Sequence, residues 1–395
     1  MPTFQEIRDT DIPDPTWALR SGYKAPLPGG MTLTRPSAGR TLDPVSGLYE
    51  SARAGEKRIF GPQQGLLVEG VARTNFVKWS SDLSQWSDPN GSLGASAQSV
   101  IDGESAYRLG GSSHLNASAG TTSSSKEVVS VFVEEDTASK VRIAWKDQSL
   151  TASQEVAVDF DFGAESFATY DESGGTLGTP QFHEVDSNGF DGNRILELRI
   201  PVTPDASGNN RQTRIYGNAN TGDGETIIHH VQLEEARNAS LPIVTGSSEV
   251  TRSADNYEIS IGDWYRKATA MTLYLEFTHQ FYDAGFPRVL TAKSVSNRLV
   301  FNGESRLRIG NSIGSDVGVA YNLTPYNKTK FAISYTDSKL AASFDGKEGR
   351  VTSKGWGLIK ETIGFNISIQ ASTVLEEMRF IPSFLSIRER NVLTS

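Results

Sequence analysis

Cleaving a glycosidic bond takes two carboxylates held roughly 5 to 9.5 Å apart across the bond. On one strand such a pair appears as acids at alternate positions. The chain holds no Glu-x-Asp-x-(x)-Glu run of that kind. Its nearest approach, Glu155-x-x-x-Asp159-x-Asp161, sets both aspartates opposite an apolar row and reads as a solvent face. Glu134-Glu135-Asp136 and Glu234-Glu235 place acids at neighbouring strand positions that face opposite ways. Cysteine is absent, so thiol nucleophiles, thiolate zinc sites and disulfide frameworks are excluded together. No catalytic residue is assigned, and the chain reads as a binding or structural protein rather than an enzyme.

His229-His230 is the one adjacent histidine pair. On a regular strand the two rings point to opposite faces and cannot chelate one ion, and His229 shares parity with Ile227, Val231 and Leu233, so a hydrogen-bonded core or edge role is expected. Asp186, Asn188 and Asp191 offer hard oxygen ligands at short spacing around Gly189 and Gly192, although the spacing is not that of an EF-hand, and the same residues also make an ordinary solvated turn.

Sugar recognition needs aromatic faces for stacking, with amides and carboxylates for the hydroxyls. Tyr107, Trp145, Tyr170 and Tyr216 are candidates between residues 76 and 238, and Trp264, Tyr265, Tyr282, Tyr321, Tyr326 and Trp356 between 257 and 395. Trp145 shares parity with Val141 and Ile143, which favours the core. Trp264 and Tyr265 follow Gly262-Asp263, and Trp356 lies between Gly355 and Gly357, which favours loop tips. The glycan contacts expected are therefore Trp264, Tyr265, Trp356 and Tyr282, with Tyr107 and Tyr216 in the other module. Each ring taken alone also fits a core.

These side chains need elements to hold them, and the dominant period from residue 76 onward is two. Val156, Val158, Phe160 and Phe162 share one face; Val129, Val131 and Val133 alternate likewise, as do Leu196, Leu198 and Ile200. Turn clusters rich in Gly, Asn and Asp separate the runs. Residues 236–256 lose the alternation and read as a connection, after which Met271, Leu273, Leu275 and Phe277 resume it. Asp345-Gly346 marks a hairpin, and Ser386-Ile387-Arg388-Glu389 a capping box opening one short terminal helix. Before residue 75, seven prolines from Pro13 to Pro62 suppress regular pairing. The expected plan is all-β, with two antiparallel β-sandwich (jelly-roll) domains. An extended arm covers 1–75, a jelly roll 76–238, an exposed linker 239–256 and a second sandwich 257–395. Trp17 and Tyr23 in the arm are its expected attachment points, since large rings without a core of their own dock elsewhere.

Three stretches carry a resemblance. Gly65-Leu66-Leu67-Val68-Glu69-Gly70-Val71-Ala72-Arg73-Thr74-Asn75, followed by Ser80-Ser81-Asp82-Leu83-Ser84-Gln85-Trp86, resembles the segment that opens a carbohydrate-binding-module-like jelly roll in fibre, spike and other peripheral proteins of tailed bacteriophages and related particles. Val231-Gln232-Leu233-Glu234 through Pro242 to Thr251-Arg252-Ser253-Ala254-Asp255 resembles the passage that closes that jelly roll. From Met271 onward, Lys330 to Tyr335, Phe344-Asp345-Gly346 and Met378 to Pro382 are similar to a concanavalin-A-like lectin or laminin-G sandwich. The resemblance implies a homo-oligomeric virion component, made in the host cytoplasm and carried on an extracellular particle. It implies other virion proteins as partners through the arm, and host-surface polysaccharide as ligand. No cofactor is required; calcium at Asp186, Asn188 and Asp191 fits modules of this kind. A polysaccharide depolymerase and a purely structural joint or decoration protein are the alternatives.

Composition narrows the partners. With 38 Lys+Arg against 47 Asp+Glu in 395 residues, the formal charge is −9, and a basic footprint for nucleic acid or an anionic membrane is missing. The polar start MPTFQEIRDT differs from a secretory leader, and no run approaches the ~20 apolar residues of a membrane helix.

Overall fold

The structure, a computed structural model, describes residues 12–13, 15, 17–20, 30–43, 46, 48–60, 65–89, 91, 93–110, 114–119, 126–148, 154–186, 193–205, 210–219, 224–260, 262–282, 288–292, 298–302, 306–310, 317–320, 327–336, 338–348, 364–367 and 371–395. It is all-β: the strand pairings are antiparallel, and the described helices are Asp263–Arg266, the terminal Ile387–Thr394 and one 3-10 turn, Leu83–Gln85. The chain forms two compact units, one of residues 38–52 and 72–253, the other of residues 1–37, 53–71 and 254–395.

The 38–253 unit is a sandwich. Its five-stranded sheet runs His114–Ala119, Arg211–Tyr216, Lys140–Asp147, Glu155–Asp161, Ser166–Glu172. Its seven-stranded sheet runs Gly175–Leu177, Ile195–Pro204, Glu127–Glu135, Glu225–Glu234, Ser105–Gly110, Leu93–Gln98, with Gln181–Asp186 also paired to Ile195–Pro204. Val141, Ile143, Trp145, Val156, Val158 and Phe160 from the first sheet join Val129, Val131, Val133, Leu196, Leu198 and Ile200 from the second in one buried cluster. β-Branched and aromatic residues at every second position thus place one face of each sheet in the core. Trp145 is fully buried there, and its indole N–H donates to Glu127 Oε2 at 2.6 Å.

The other unit carries an eight-stranded sheet centred on Met271–Tyr282 and Ala371–Ile381, and a seven-stranded sheet containing Asn256–Ser260 and Gly364–Ile367. Leu273, Leu275, Phe277, Phe331 and Ile333 are buried, as their alternation requires. Asp345 and Gly346 turn the expected hairpin with φ of 41° and 71°. The terminal helix opens on the expected capping box: Glu389 N–H donates to Ser386 Oγ at 3.3 Å and Ser386 N–H to Glu389 Oε2 at 2.6 Å.

Two organisational expectations are corrected. The described strands before residue 75 are not set apart as an arm: Trp17–Arg20 and Gly65–Glu69 pair with Ala371–Ile381, Met31–Thr34 pairs with Asn256–Ser260, and Gly39–Leu42 and Tyr49–Ala52 form a hairpin of the 38–253 unit. Short strands between prolines find their hydrogen-bond partners in remote chain, which local sequence does not reveal. The stretch 239–245 is likewise no exposed linker, since Ala239, Ser240, Leu241, Ile243 and Thr245 are buried. Side chains of the adjacent strand replace a ladder there: Ser240 N–H donates to Glu234 Oε2 at 2.6 Å and Ile243 N–H to Gln232 Oε1 at 2.8 Å. Only 246–251 beyond it is exposed, and Val250–Arg252 then pairs with Arg73–Asn75.

The segments that carry the resemblance hold the fold together. Asp255 accepts from Arg58 and from Arg35 (3.2 Å), Glu69 accepts from Arg58, and Glu69 N–H donates to Asp255 Oδ2 at 2.9 Å, all in buried surroundings. In the other unit, Asn75 Oδ1 accepts from Val77 N–H (3.0 Å) and Leu233 N–H (3.2 Å) while its amide donates to Ile243 O at 2.8 Å.

Candidate functional site

Strand pairing composes a surface on the outer face of the five-stranded sheet. Along Lys140–Asp147 the core takes Val141, Ile143 and Trp145, so Arg142, Ala144 and Lys146 point outward. Register then sets Arg142 opposite Tyr216 on one neighbour and Asp159 on the other, with His114 opposite Tyr216. The next line along the strands is Asn116, Arg214, Ala144 and Ala157; the one after is Ser118, Gln212, Lys146 and Glu155. A register shift between Ala157 and Val158 leaves Tyr170 as the extra residue on Ser166–Glu172 and aims it at Arg142.

A row of planar groups results: imidazole, phenol, guanidinium, phenol. The His114 and Tyr216 rings lie 5.1 Å apart at 34°. Arg142 Cζ sits 5.7 Å from the Tyr216 centroid and 3.2 Å from that of Tyr170. Asp159 holds the guanidinium in place through Nε–Oδ1 at 2.6 Å and Nη2–Oδ2 at 3.0 Å. Burial alone would lower the Arg142 pKa; the bond to Asp159 overrides it and raises it. Tyr170 is 57% exposed, so with Arg142 on one side its other π-face is open to solvent.

Beside the row, Ala144 and Ala157 face each other across the strands and are fully buried beneath longer side chains. Arg214 Nε donates to Gln212 Oε1 at 2.8 Å, and its Nη1 lies 3.6 Å from Glu155 Oε2, an ion-pair distance too long for a hydrogen bond. Glu155 Oε2 and Asn116 Oδ1 are buried acceptors without a hydrogen-bond donor. Burial, opposed by Arg214, raises the Glu155 pKa. Burial and then Arg214 lower that of His114. An exposed aromatic ring beside polar side chains held in place is equipment for stacking a pyranose ring and meeting its hydroxyls.

Of the residues expected from sequence, Tyr216 belongs to this surface. Tyr107 does not: it packs against the sandwich core and its hydroxyl donates to Asp82 at 2.9 Å. Tyr265 is a core residue at 2% exposure, hydrogen-bonded to the Tyr335 hydroxyl at 3.0 Å, because the Asp263–Arg266 turn directs it inward. The backbones of Trp264, Tyr282, Trp17 and Asp186 are described but not their side chains, and Trp356, Tyr321, Tyr326, Tyr23, Asn188 and Asp191 lie outside the described residues. Among the described residues no group of three or more His, Asp or Glu converges to hold a metal ion. Sequence reasoning did not assign Arg142, His114, Asn116 or Glu155; their parity opposite the core was visible, but which strands lie side by side was not.

His229 and His230 depart from simple alternation. A register shift opposite them lets both Ile228 and Val231 reach the core, so both rings lie on the outer face. His229 Nε2 meets Glu134 Oε2 at 3.2 Å, and His230 Nδ1 meets Ser81 Oγ at 2.8 Å. Both are buried and hydrogen-bonded, as expected, but not on opposite sides.

No family model matches the chain. No curated protein matches it either. Among solved structures, the binding domain of botulinum neurotoxin DC in complex with SialylT matches 36% of this chain and 39% of its own, at 8% identity and a TM-score of 0.31. A family 7 alginate lyase, A1-II′, matches 34% of this chain and 72% of its own at 13% identity and a TM-score of 0.26. A Bacteroides ovatus protein assigned to carbohydrate binding matches 68% of this chain and 79% of its own, at 10% identity and a TM-score of 0.26. The first of these alignments spans about two fifths of the neurotoxin domain.

Proposed function

We propose that the chain is a non-catalytic glycan-binding protein and that the outer face of the five-stranded sheet is its sugar platform. The observation that carries this reading is the row His114, Tyr216, Arg142 and Tyr170, locked by Asp159 and open at Tyr170. Three acids on that face have a cation within ion-pair distance: Asp159 has Arg142, Asp161 has Lys140 at 3.1 Å and Glu155 has Arg214. Such an arrangement suits binding better than proton transfer. The resemblance of the Gly65–Asn75 and Val231–Asp255 segments to phage fibre and spike proteins supports placing the platform on a virion, facing host-surface polysaccharide.

Shallow β surfaces exchange water for hydroxyl-rich ligands with little net gain, so a dissociation constant from about millimolar to high micromolar is expected for one chain. Several copies on one particle would raise avidity by roughly 10² to 10⁴. A glycan array probed with the full chain, beside Tyr170→Ala and Tyr216→Ala, tests the reading. Binding without release of reducing ends, weakened at least about tenfold in both variants, supports it. Binding unchanged in both variants moves recognition elsewhere, and turnover of the bound glycan replaces binding with depolymerisation.

A further inference from the structure

We infer that the glycan bound on the five-stranded face is acidic and that its anionic group sits at Lys146; this rests on the platform reading above. Charge on the face is divided by strand. Among the described residues, the outward positions of His114–Ala119, Arg211–Tyr216 and Lys140–Asp147 carry Lys140, Arg142, Lys146 and Arg214 and no acid. Those of Glu155–Asp161 and Ser166–Glu172 carry Glu155, Asp159, Asp161 and Asp171 and no cation. Along the seam three of the cations are matched: Lys140 to Asp161 at 3.1 Å, Arg142 to Asp159 at 2.6 Å and Arg214 to Glu155 at 3.6 Å. Lys146 is the cation left over. Strand register sets it opposite Glu155, but that carboxylate stands at ion-pair distance from Arg214, and Lys146 has no hydrogen bond or ion pair among the described residues. Its side chain is half-buried at the centre of the sheet, flanked by Gln212 and Glu155. Burial and then the nearby Arg214 push its pKa below the usual lysine range, and Glu155 opposes them. A ligand carboxylate or sulfate relieves this crowding of positive charge, whereas a neutral sugar leaves it in place. Because an ammonium is a point charge without a planar fork, either anion fits.

The test is an array of neutral oligosaccharides beside their carboxylate- and sulfate-bearing counterparts. Affinities of the hits are then measured by NMR titration for the wild-type chain, Lys146→Met, Lys146→Arg, Tyr170→Ala and Tyr216→Ala, each checked for folding by circular dichroism. Acidic hits should bind at least about tenfold tighter than their neutral counterparts, the usual gain from a charge-assisted contact. Lys146→Met keeps most of the aliphatic stem and removes the charge, so it should erase that preference while leaving neutral affinity within about twofold. Lys146→Arg should retain it. Neutral hits as tight as acidic ones, lost in Tyr170→Ala, overturn the acidic specificity and leave the platform standing. An acidic preference that survives Lys146→Met overturns Lys146 as the anchor, and so does a preference confined to carboxylate or to sulfate alone. Hits of either class that survive both Tyr170→Ala and Tyr216→Ala overturn the platform itself.

Discussion

The outer face of the five-stranded sheet and that of the seven-stranded sheet alternate polar and apolar residues in the same way, yet the middle of the second is closed to solvent. On the first, Tyr170 is 57% exposed. On the second, Ser130, Phe132, Glu197, Arg199, His230 and Gln232 are all 3% exposed or less. The difference is chain from elsewhere. Tyr49, on the hairpin of Gly39–Leu42 and Tyr49–Ala52, sets its ring edge-on 5.7 Å from Phe132; Ser81 caps His230, and Ile243 N–H ends on Gln232. A polar strand face is therefore a ligand surface only where no later packing closes it. On the closed face polar groups turn to one another, and Glu197 is met by Arg199 through two contacts at 2.9 and 2.8 Å and by His183 at 2.9 Å.

Mutations of like chemistry on the two faces should separate most widely. Glu197→Ala leaves the buried Arg199 cation without its carboxylate and should cost about 3–5 kcal/mol, the usual penalty for stripping one partner from a buried pair. Tyr49→Ala should fall in the same range of about 3–5 kcal/mol through the cavity over Phe132. Urea melts measure both. If either costs under about 1 kcal/mol, the hairpin does not seal the face and the contrast collapses.

Acid should act on the closed face next. Burial pushes the His230 pKa down to about 3. The unfolded chain takes up that proton near pH 6.5 and the folded chain does not, so stability falls as pH drops from about 6.5 toward about 3, by about 1.4 kcal/mol per pH unit. Glu197 is desolvated, which alone would raise its pKa, but Arg199 and His183 hold it at about 2, so its contribution is lost as pH falls from about 4.3 to about 2. Glu155 on the open face has a raised pKa and contributes with the opposite sign. His230→Asn should flatten the upper part of the acid limb in melts taken from pH 7 to 4; an unchanged slope would mean the ring is not held neutral.

Strand existence was legible because Val129 to Val133 and Val141 to Trp145 keep strict alternation, and the terminal helix because Ser386 and Glu389 stand at capping-box spacing. Three features were not. The extra residue at Tyr170 and the shift at His229 alter which face a side chain joins, and neither leaves a Gly or Pro to mark it. Loss of alternation at 239–245 looked like exposure, because side-chain hydrogen bonds from Gln232 and Glu234 replace the strand ladder without any periodic trace. Cross-strand neighbours such as Arg142 and Tyr216 are 74 positions apart in sequence (216 − 142), so the site could be listed residue by residue but not assembled.

On the open face the Arg142–Asp159 pair should contribute less than its buried counterpart. A double-mutant cycle with Arg142→Ala and Asp159→Ala should give a coupling of about 1 kcal/mol or less, screened further by salt, since this pair keeps contact with water. A coupling near that of Glu197 and Arg199 would show the two faces to be equally sealed.

The smallest effect on stability and the largest on binding are expected at one residue. Tyr170 sits on an edge strand, more than half exposed, and its one described aromatic contact is the Arg142 guanidinium. Truncating an exposed ring usually changes stability by no more than about 0.5 kcal/mol, and Arg142 keeps its grip on Asp159 when the ring is gone. Tyr170→Ala should thus melt within about 2 °C of the wild type for a domain of this size while losing glycan binding at least about tenfold. A matched loss of melting temperature and binding would make Tyr170 part of the scaffold that orients Arg142. Retained binding with unchanged melting would shift the contact to the His114 and Tyr216 end of the row, where Tyr216→Ala reads it directly.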